Sequence, residues 1–313
     1  MMNWTDRHCR SFMRLISSQA ILYTEMITTG AILHGDARYH LDLNSDESPV
    51  ALQLGGNNPQ ELSKCIKLIE NYSYDEINLN CGCPSDRVQN GMFGAVMMKN
   101  ANLTADCISA LLDASKLPIS VKHRIGVDDF DSYDFLCDFV ETVSNTGCKV
   151  FIIHARKAWL KGLSPKQNRE IPELNYDRVY QLKKDFPELE IIINGGISSI
   201  QDSVDHLHQL DGVMIGREAY TNPYLLAEVD QKIYGKKKSV IKREEIAEKF
   251  CQYVDNEMVK GEKLHSMTRH ILGLFRGVKG AKQFRRHISE NAQGEKASID
   301  VLYDALKKVG EIS

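Results

Sequence analysis

Short runs of apolar and β-branched residues recur at Ile21–Met26, Val50–Leu54, Glu76–Asn80, Ile119–Lys122, Val150–His154, Ile191–Asn194 and Gly212–Ile215. Each has the length and composition of a strand. Between them lie stretches with apolar residues at helical spacing: Pro59–Asn71, Leu103–Ser115, Tyr133–Thr146, Tyr176–Asp185 and Ile200–Gln209. Strand and helix alternating at this interval predict a parallel sheet with crossover helices. The expected fold is therefore α/β, a (β/α)8 TIM barrel. Seven strands are visible where a barrel has eight, so the first strand is expected to lie before residue 1 or to survive only as a stub.

Past Tyr234 the pattern changes. Gly235-Lys-Lys-Lys-Ser reads as a linker, and only helical patterns follow: Arg243–Val259, Ser266–Leu274, Ala281–Glu290 and Ile299–Val309. Four amphipathic helices predict a small all-α bundle. The expected domains are a catalytic barrel over 1–235 and a helical domain over 236–313.

Composition excludes several classes. Hydrophobic residues make up 42% and charged residues 26%, ordinary values for a chain with a packed core. No apolar run approaches the length of a membrane span, and the N-terminal MMNWTDRHCRSFMR lacks the apolar block of a signal peptide. A cytoplasmic protein is the expectation. Eight scattered cysteines suit reduced thiols better than a disulfide framework. The pair in Cys81-Gly82-Cys83 reads as a metal clip, a disulfide, or one reactive sulfur beside a bystander. No second pair or histidine cluster stands at ligand spacing, so no metal is expected. The net charge of −3 is unevenly spread. Residues 236–313 carry 17 Lys and Arg against 11 Asp and Glu, a net of +6 that leaves −9 for the rest. Arg269–His287 has six Lys and Arg and no acid, which suits either a solvated face or contact with phosphates.

In a barrel the C-terminal strand ends carry the chemistry. Those ends read Gln53, Asn80, Lys122, His154, Asn194 and Gly216. Asn194-Gly195-Gly196 and Gly216-Arg217 would close the last two strands, where barrels commonly hold phosphate on backbone N–H groups. Gln53, Asn80, Lys122 and His154 add polar side chains suited to a planar, polar-edged ring. Flavin mononucleotide (FMN), with one phosphate, fits that distribution.

DRHCR, LYTEM, ALQLGG, EINLNCGCPSDRVQNGMFGA, VKHRIG, HARKAWLKGLSPKQNREIP, NGGI and DGVMIGREAY resemble the tRNA-dihydrouridine synthases. The likeness is greatest to their A-type branch, which modifies U20 and U20a of the tRNA D-loop. It runs from Met1 to about Arg286, with the motifs in family order. The resemblance implies a flavoenzyme in which NADPH reduces bound FMN and the flavin then reduces uridine. It places Met1, Met2, Gln53, Lys122, His154, Asn194, Gly195, Gly196, Gly216 and Arg217 at FMN-contacting positions. Met1 and Met2 match the end of the family's APM segment, whose Ala and Pro are absent here. Val96 stands where the family often has a cysteine, so that position is not essential here. Cys83, in the GCP motif, is the matching proton donor for C5, with Asn80 holding the uracil edge. Lys166, Gln167, Arg169, Lys282, Arg285 and Arg286 fall among tRNA-contacting positions. Cys81 is expected only to pack, because Gly82 and Pro84 break the alternation after Asn80. A monomer is expected. Two alternatives are a barrel flavoenzyme on a free pyrimidine, like a dihydroorotate dehydrogenase, and a tRNA-binding protein without catalysis.

Overall fold

The structure is a computed structural model and describes residues 1–310 except 238, 295 and 296. Lys238 of the expected linker thus lies outside the described residues. Seven strands form one sheet in sequential order: β1 Leu22–Thr28, β2 Val50–Gly55, β3 Glu76–Cys81, β4 Ile119–Arg124, β5 Val150–His154, β6 Glu190–Asn194 and β7 Gly212–Met214. From β2 onward each neighbour pairs in parallel. All seven expected strands are present, and the α/β class holds. Among the described residues the sheet has seven strands and is an open half-barrel.

The crossover helices form where their apolar spacing and caps direct. Pro59–Ile69 starts at the cap Asn58, which accepts from the Glu61 N–H, and buries Leu62, Cys65, Ile66 and Ile69 at helical intervals. Ala101–Ala114, Tyr133–Ser144 and Tyr176–Asp185 are capped the same way by Asn100, Ser132 and Asn175. Ile200–Leu207 begins with a reciprocal Ser199–Asp202 capping box. The strands carry two characters. Ile77, Leu79, Cys81, Val121 and Phe151 are wholly buried, and His123 among them packs on Phe139 of the helix Tyr133–Ser144. The alternate residues, Gln53, Asn78, Asn80, Ser120 and Lys122, form a polar inner face.

By compactness the chain divides into one unit of residues 1–2 and 23–216 and a second of residues 3–22 and 217–313. The expected boundary at 235 follows a composition shift. The compact division groups the helix Arg7–Ile16 with the C-terminal helices and takes its C-terminal part from Arg217.

Within the second unit, Phe12 meets Phe250 edge-on at 4.9 Å, and Phe275 meets Phe284 at 5.0 Å. Arg7 binds Glu257 at 2.5 Å and Glu262 at 2.7 Å. The expected helix Ser266–Leu274 is interrupted: Leu264–Thr268 is α-helical, and a 3-10 turn covers Ile271–Gly273. At the break Asp6 engages Arg269 and His270. A side chain at Gly273 would come within 2.7 Å of the Thr221 carbonyl oxygen, so the turn sits where only glycine fits.

Candidate active site

The strand register brings the expected residues into a row. Gln53 pairs with Asn78, Asn80 with Lys122, Arg124 with His154, His154 with Asn194, and Asn194 with Met214. Lys122 Nζ donates to Asn194 Oδ1 at 3.0 Å, and Asn194 Nδ2 donates to the Met214 carbonyl at 2.7 Å. Gln53 Nε2 donates to Asn78 Oδ1 at 2.8 Å, and Asn80 Nδ2 to Gln53 Oε1 at 2.9 Å.

After β3 the chain turns sharply. Asn80 Oδ1 accepts from the N–H groups of Gly82 and Cys83, both at 3.0 Å. The Cys83 carbonyl accepts from Ala95 N–H at 2.9 Å. Gly94, at φ +71°, packs so closely that a side chain would meet the Cys83 carbonyl oxygen at 2.6 Å. Cys83 is thus held on both sides of its peptide, with Sγ 3.5 Å from Ser85 Oγ, and it is partly exposed. Cys81 is wholly buried, and burial beside Cys107 and Cys148 pushes its thiol far above the ordinary range. The two sulfurs therefore differ, and both are free thiols. Among the described residues no group of three or more His, Cys, Asp or Glu could hold a metal ion.

Burial and the neighbouring Arg124 charge pull the Lys122 ammonium down to about 8, against a smaller opposing effect of Cys83. Arg124, 4% exposed, was not singled out from the sequence. It donates to the Gly82 carbonyl at 2.9 Å, the Lys157 carbonyl at 3.0 Å and the Asn168 carbonyl at 2.9 Å. One guanidinium so ties the Cys83 turn to the loop after β5. Burial, together with Arg169 and Arg156, pulls it down to about 10, which leaves it charged at neutral pH. The signal was in VKHRIG: residues two apart on a strand share a face, which puts Arg124 beside Lys122.

Gly195 and Gly196 have φ of +111° and +74°, and the Gly195 carbonyl accepts from Tyr176 Oη at 2.8 Å. Gly216 ends the first unit just past β7, and a side chain there would lie 3.9 Å from Asn194 Nδ2. Arg217 opens the second unit. Met1 and Met2 group with the first unit and are 36% and 47% exposed. Lys166 and Gln167 are exposed in the loop after β5, and Arg169 is half-buried there. The loop is folded around Asn168, wholly buried and bonded to the backbone of Trp159, Leu163 and Ser164. Lys282, Arg285 and Arg286 lie in the second unit, exposed on the helix Ala281–Asn291. A separate cavity of about 340 Å³ opens by Thr28, Gly55, Gly56, Asn57 and Phe93, at the ends of β1 and β2.

A family model for dihydrouridine synthase matches residues 1–310, across both units. The chain belongs to the dihydrouridine synthase family. It is 57% identical over 310 residues to a tRNA-dihydrouridine(20/20a) synthase of Vibrio vulnificus (strain CMCP6), spanning 99% of this chain and 95% of that one. Proteins of the same name from Escherichia coli (strain K12) and Salmonella typhimurium are also 57% identical, over 312 residues, with 90% and 94% of their lengths covered. Members of the family are generally flavin-dependent.

The inner face of this dihydrouridine synthase fits such a group. Lys122 and Arg124 bring two cations to it, and among the described residues neither has an acidic partner within 4 Å. The chemistry of that donor set suits the electron-rich carbonyl edge of a flavin ring. The Gly195-Gly196 turn, at positive φ and packed against His154, Leu174 and Tyr176, admits no side chain at Gly196.

Proposed function

We propose that this dihydrouridine synthase reduces the C5–C6 double bond of uridine in the D-loop of tRNA, at positions 20 and 20a, with FMN as its resident flavin and NADPH as reductant. The observation that carries this reading is the Cys83 turn, clamped by Asn80, Arg124 and Ala95 beside a polar face that suits a flavin. Saturating the bond takes a hydride at C6 and a proton at C5. When bound and reduced, the flavin supplies the hydride. Lys122, Gln53, His154, Asn194 and the Gly195, Gly196 and Gly216 backbone hold the FMN, with Met1, Met2 and Arg217 at its margin. Cys83 gives the proton: its partly exposed thiol stands on the clamped turn as a positioned general acid. Asn80 secures the turn and turns its remaining amide hydrogen to the uracil edge.

A target base inside folded tRNA must be swung out of its stack, which needs a grip on the backbone. Lys166, Gln167 and Arg169 on the first unit, and Lys282, Arg285 and Arg286 on the second, provide it. A free-pyrimidine enzyme would leave the second unit idle, whereas the family match spans it. We take the enzyme to be a cytoplasmic monomer. Among the described residues no helix is long and apolar enough to cross a membrane.

Cys83→Ala should keep its yellow flavin and lose about 10²–10⁴-fold in dihydrouridine formation, the usual worth of a positioned acid. Cys81→Ala should react almost as the parent does. Full activity in Cys83→Ala, measured on tRNA with NADPH, would sink the assignment. A colourless protein that cannot be reconstituted with FMN would favour RNA binding without catalysis.

A further inference from the structure

Across the inner face of the sheet runs a chain of hydrogen bonds in which every donor points the same way. Cys83 N–H donates to Asn80 Oδ1 at 3.0 Å, Asn80 Nδ2 to Gln53 Oε1 at 2.9 Å, and Gln53 Nε2 to Asn78 Oδ1 at 2.8 Å. Asn78 Nδ2 then donates to Ser120 Oγ at 2.7 Å, and Ser120 Oγ donates to Glu76 Oε1. Tyr23 Oη donates to the same carboxylate oxygen at 3.0 Å. The chain spans β2, β3 and β4, and Asn78 and Ser120 are wholly buried.

Its direction is set at both ends. At the turn, the N–H groups of Gly82 and Cys83 only donate, so Asn80 must present its oxygen to them. Its amide nitrogen then faces Gln53, which must present oxygen, and so on down the line. Ser120, having accepted from Asn78, has one proton to give, and it needs an acceptor below. Glu76 is that acceptor. If Glu76 offered none, Ser120 would lose its partner, and reversing any buried amide would set donor against donor.

We infer that Glu76 is a positioning residue for uridine reduction, acting through Ser120, Asn78, Gln53 and Asn80 to hold the backbone of Cys83. This rests on the reading of Cys83 as the proton donor. No step of the chemistry uses Glu76 itself, which lies at the opposite end of β3 from the turn. What it supplies is the direction of the amide chain that places one thiol.

The test compares Glu76→Met, Glu76→Gln and Ser120→Ala in the flavin-loaded protein. Three quantities are read: the rate of Cys83 alkylation by iodoacetamide, mapped by peptide mass; the kcat of uridine reduction in tRNA; and the rate of flavin reduction by NADPH. Cys137, the other partly exposed cysteine among those described, serves as internal control for alkylation. Glu76→Met and Ser120→Ala should speed Cys83 alkylation about fivefold without affecting Cys137, because the released turn opens more often. They should lower kcat roughly tenfold while flavin reduction stays within about twofold, as misplacing a reacting group demands. Glu76→Gln keeps an acceptor oxygen for Ser120 and Tyr23 and should restore both quantities to within about threefold.

An unchanged Cys83 alkylation rate in Glu76→Met and Ser120→Ala would overturn the inference. So would a Gln variant as impaired as the Met variant. Equal loss of both half-reactions would point to general damage and likewise count against it. If Cys83→Ala kept its activity, the reading of Cys83 would fall, yet alkylation would still decide whether Glu76 holds the turn.

Discussion

Lys122 shows what it costs to place a cation on the inner face of the sheet. Its ammonium is partly enclosed, bonds to the neutral Asn194, and is pulled down to about 8 by burial. Below pH 8 it is charged both folded and unfolded, so the folded flavin-free protein bears the full cost of desolvation. Between about 8 and the ordinary 10.5, the unfolded chain holds a proton that the folded chain lacks. Linkage then makes stability rise with pH across that window. In Lys122→Met this contribution should vanish: denaturation midpoints of the flavin-free variant should rise less between pH 7.5 and 10 than those of the parent. The same variant should bind FMN more weakly, read by flavin fluorescence. A parent and variant with equal pH slopes would contradict the assignment. Lys122 was legible in the sequence because it stands near a strand end. Arg124 shares that strand face, but its role shows only once its three carbonyl partners are seen.

At the level of elements, the turn after β6 is tightly constrained. Gly196 has φ +74°, and a methyl group there would lie 2.5 Å from Leu174 Cδ1 and 2.7 Å from Tyr176 Oη. Gly196→Ala should therefore cost about 1–3 kcal/mol from backbone strain, before any clash with Leu174. Thermal unfolding should fall accordingly, and FMN affinity should drop more than stability does. A variant with the parent's melting temperature and flavin affinity would show the turn to be tolerant. The strands were legible because each is a short apolar run closed by a polar or glycine residue. The helix break at Arg269 and His270 was not, since the periodicity of RHILGLF runs straight through it. What interrupts it is Asp6, whose carboxyl is held well below the ordinary range: burial opposes this, and the bonds from His270, Cys9 and Arg269 outweigh it. Short helices such as Thr29–His34 and Asp86–Asn90 also escaped notice, being too brief to show a period.

On the scale of the whole molecule, the proposed grip on tRNA is a matter of charge. The basic run 269–287 carries no acid, yet the fold brings acids to part of it: Arg269 to Asp6, Arg276 to Glu218, and Arg286 to Glu290. Among the described residues no acidic group lies within 4 Å of Lys282 or Arg285. Arg285→Ala should therefore weaken tRNA binding and reduce the slope of log K against log salt by about one phosphate contact. Arg286→Ala should do less, since that guanidinium is already engaged. Filter binding of both variants at several salt concentrations checks the order, and a steeper loss in Arg286→Ala would reverse it. NADPH oxidation in the absence of tRNA should stay as in the parent for both.

By itself the sequence determined the strand order, the helical tail, the polar strand ends and the family blocks around Cys83, because each is written in local periodicity or in contiguous residues. Only the tertiary structure decided which partners meet. Arg7 reaches Glu257 and Glu262 across some 250 positions of chain. The amides of Gln53, Asn78 and Asn80 acquire their directions only once β2, β3 and β4 lie side by side. A donor's orientation depends on what stands opposite it, and in a parallel sheet that neighbour comes from a strand a whole crossover helix away.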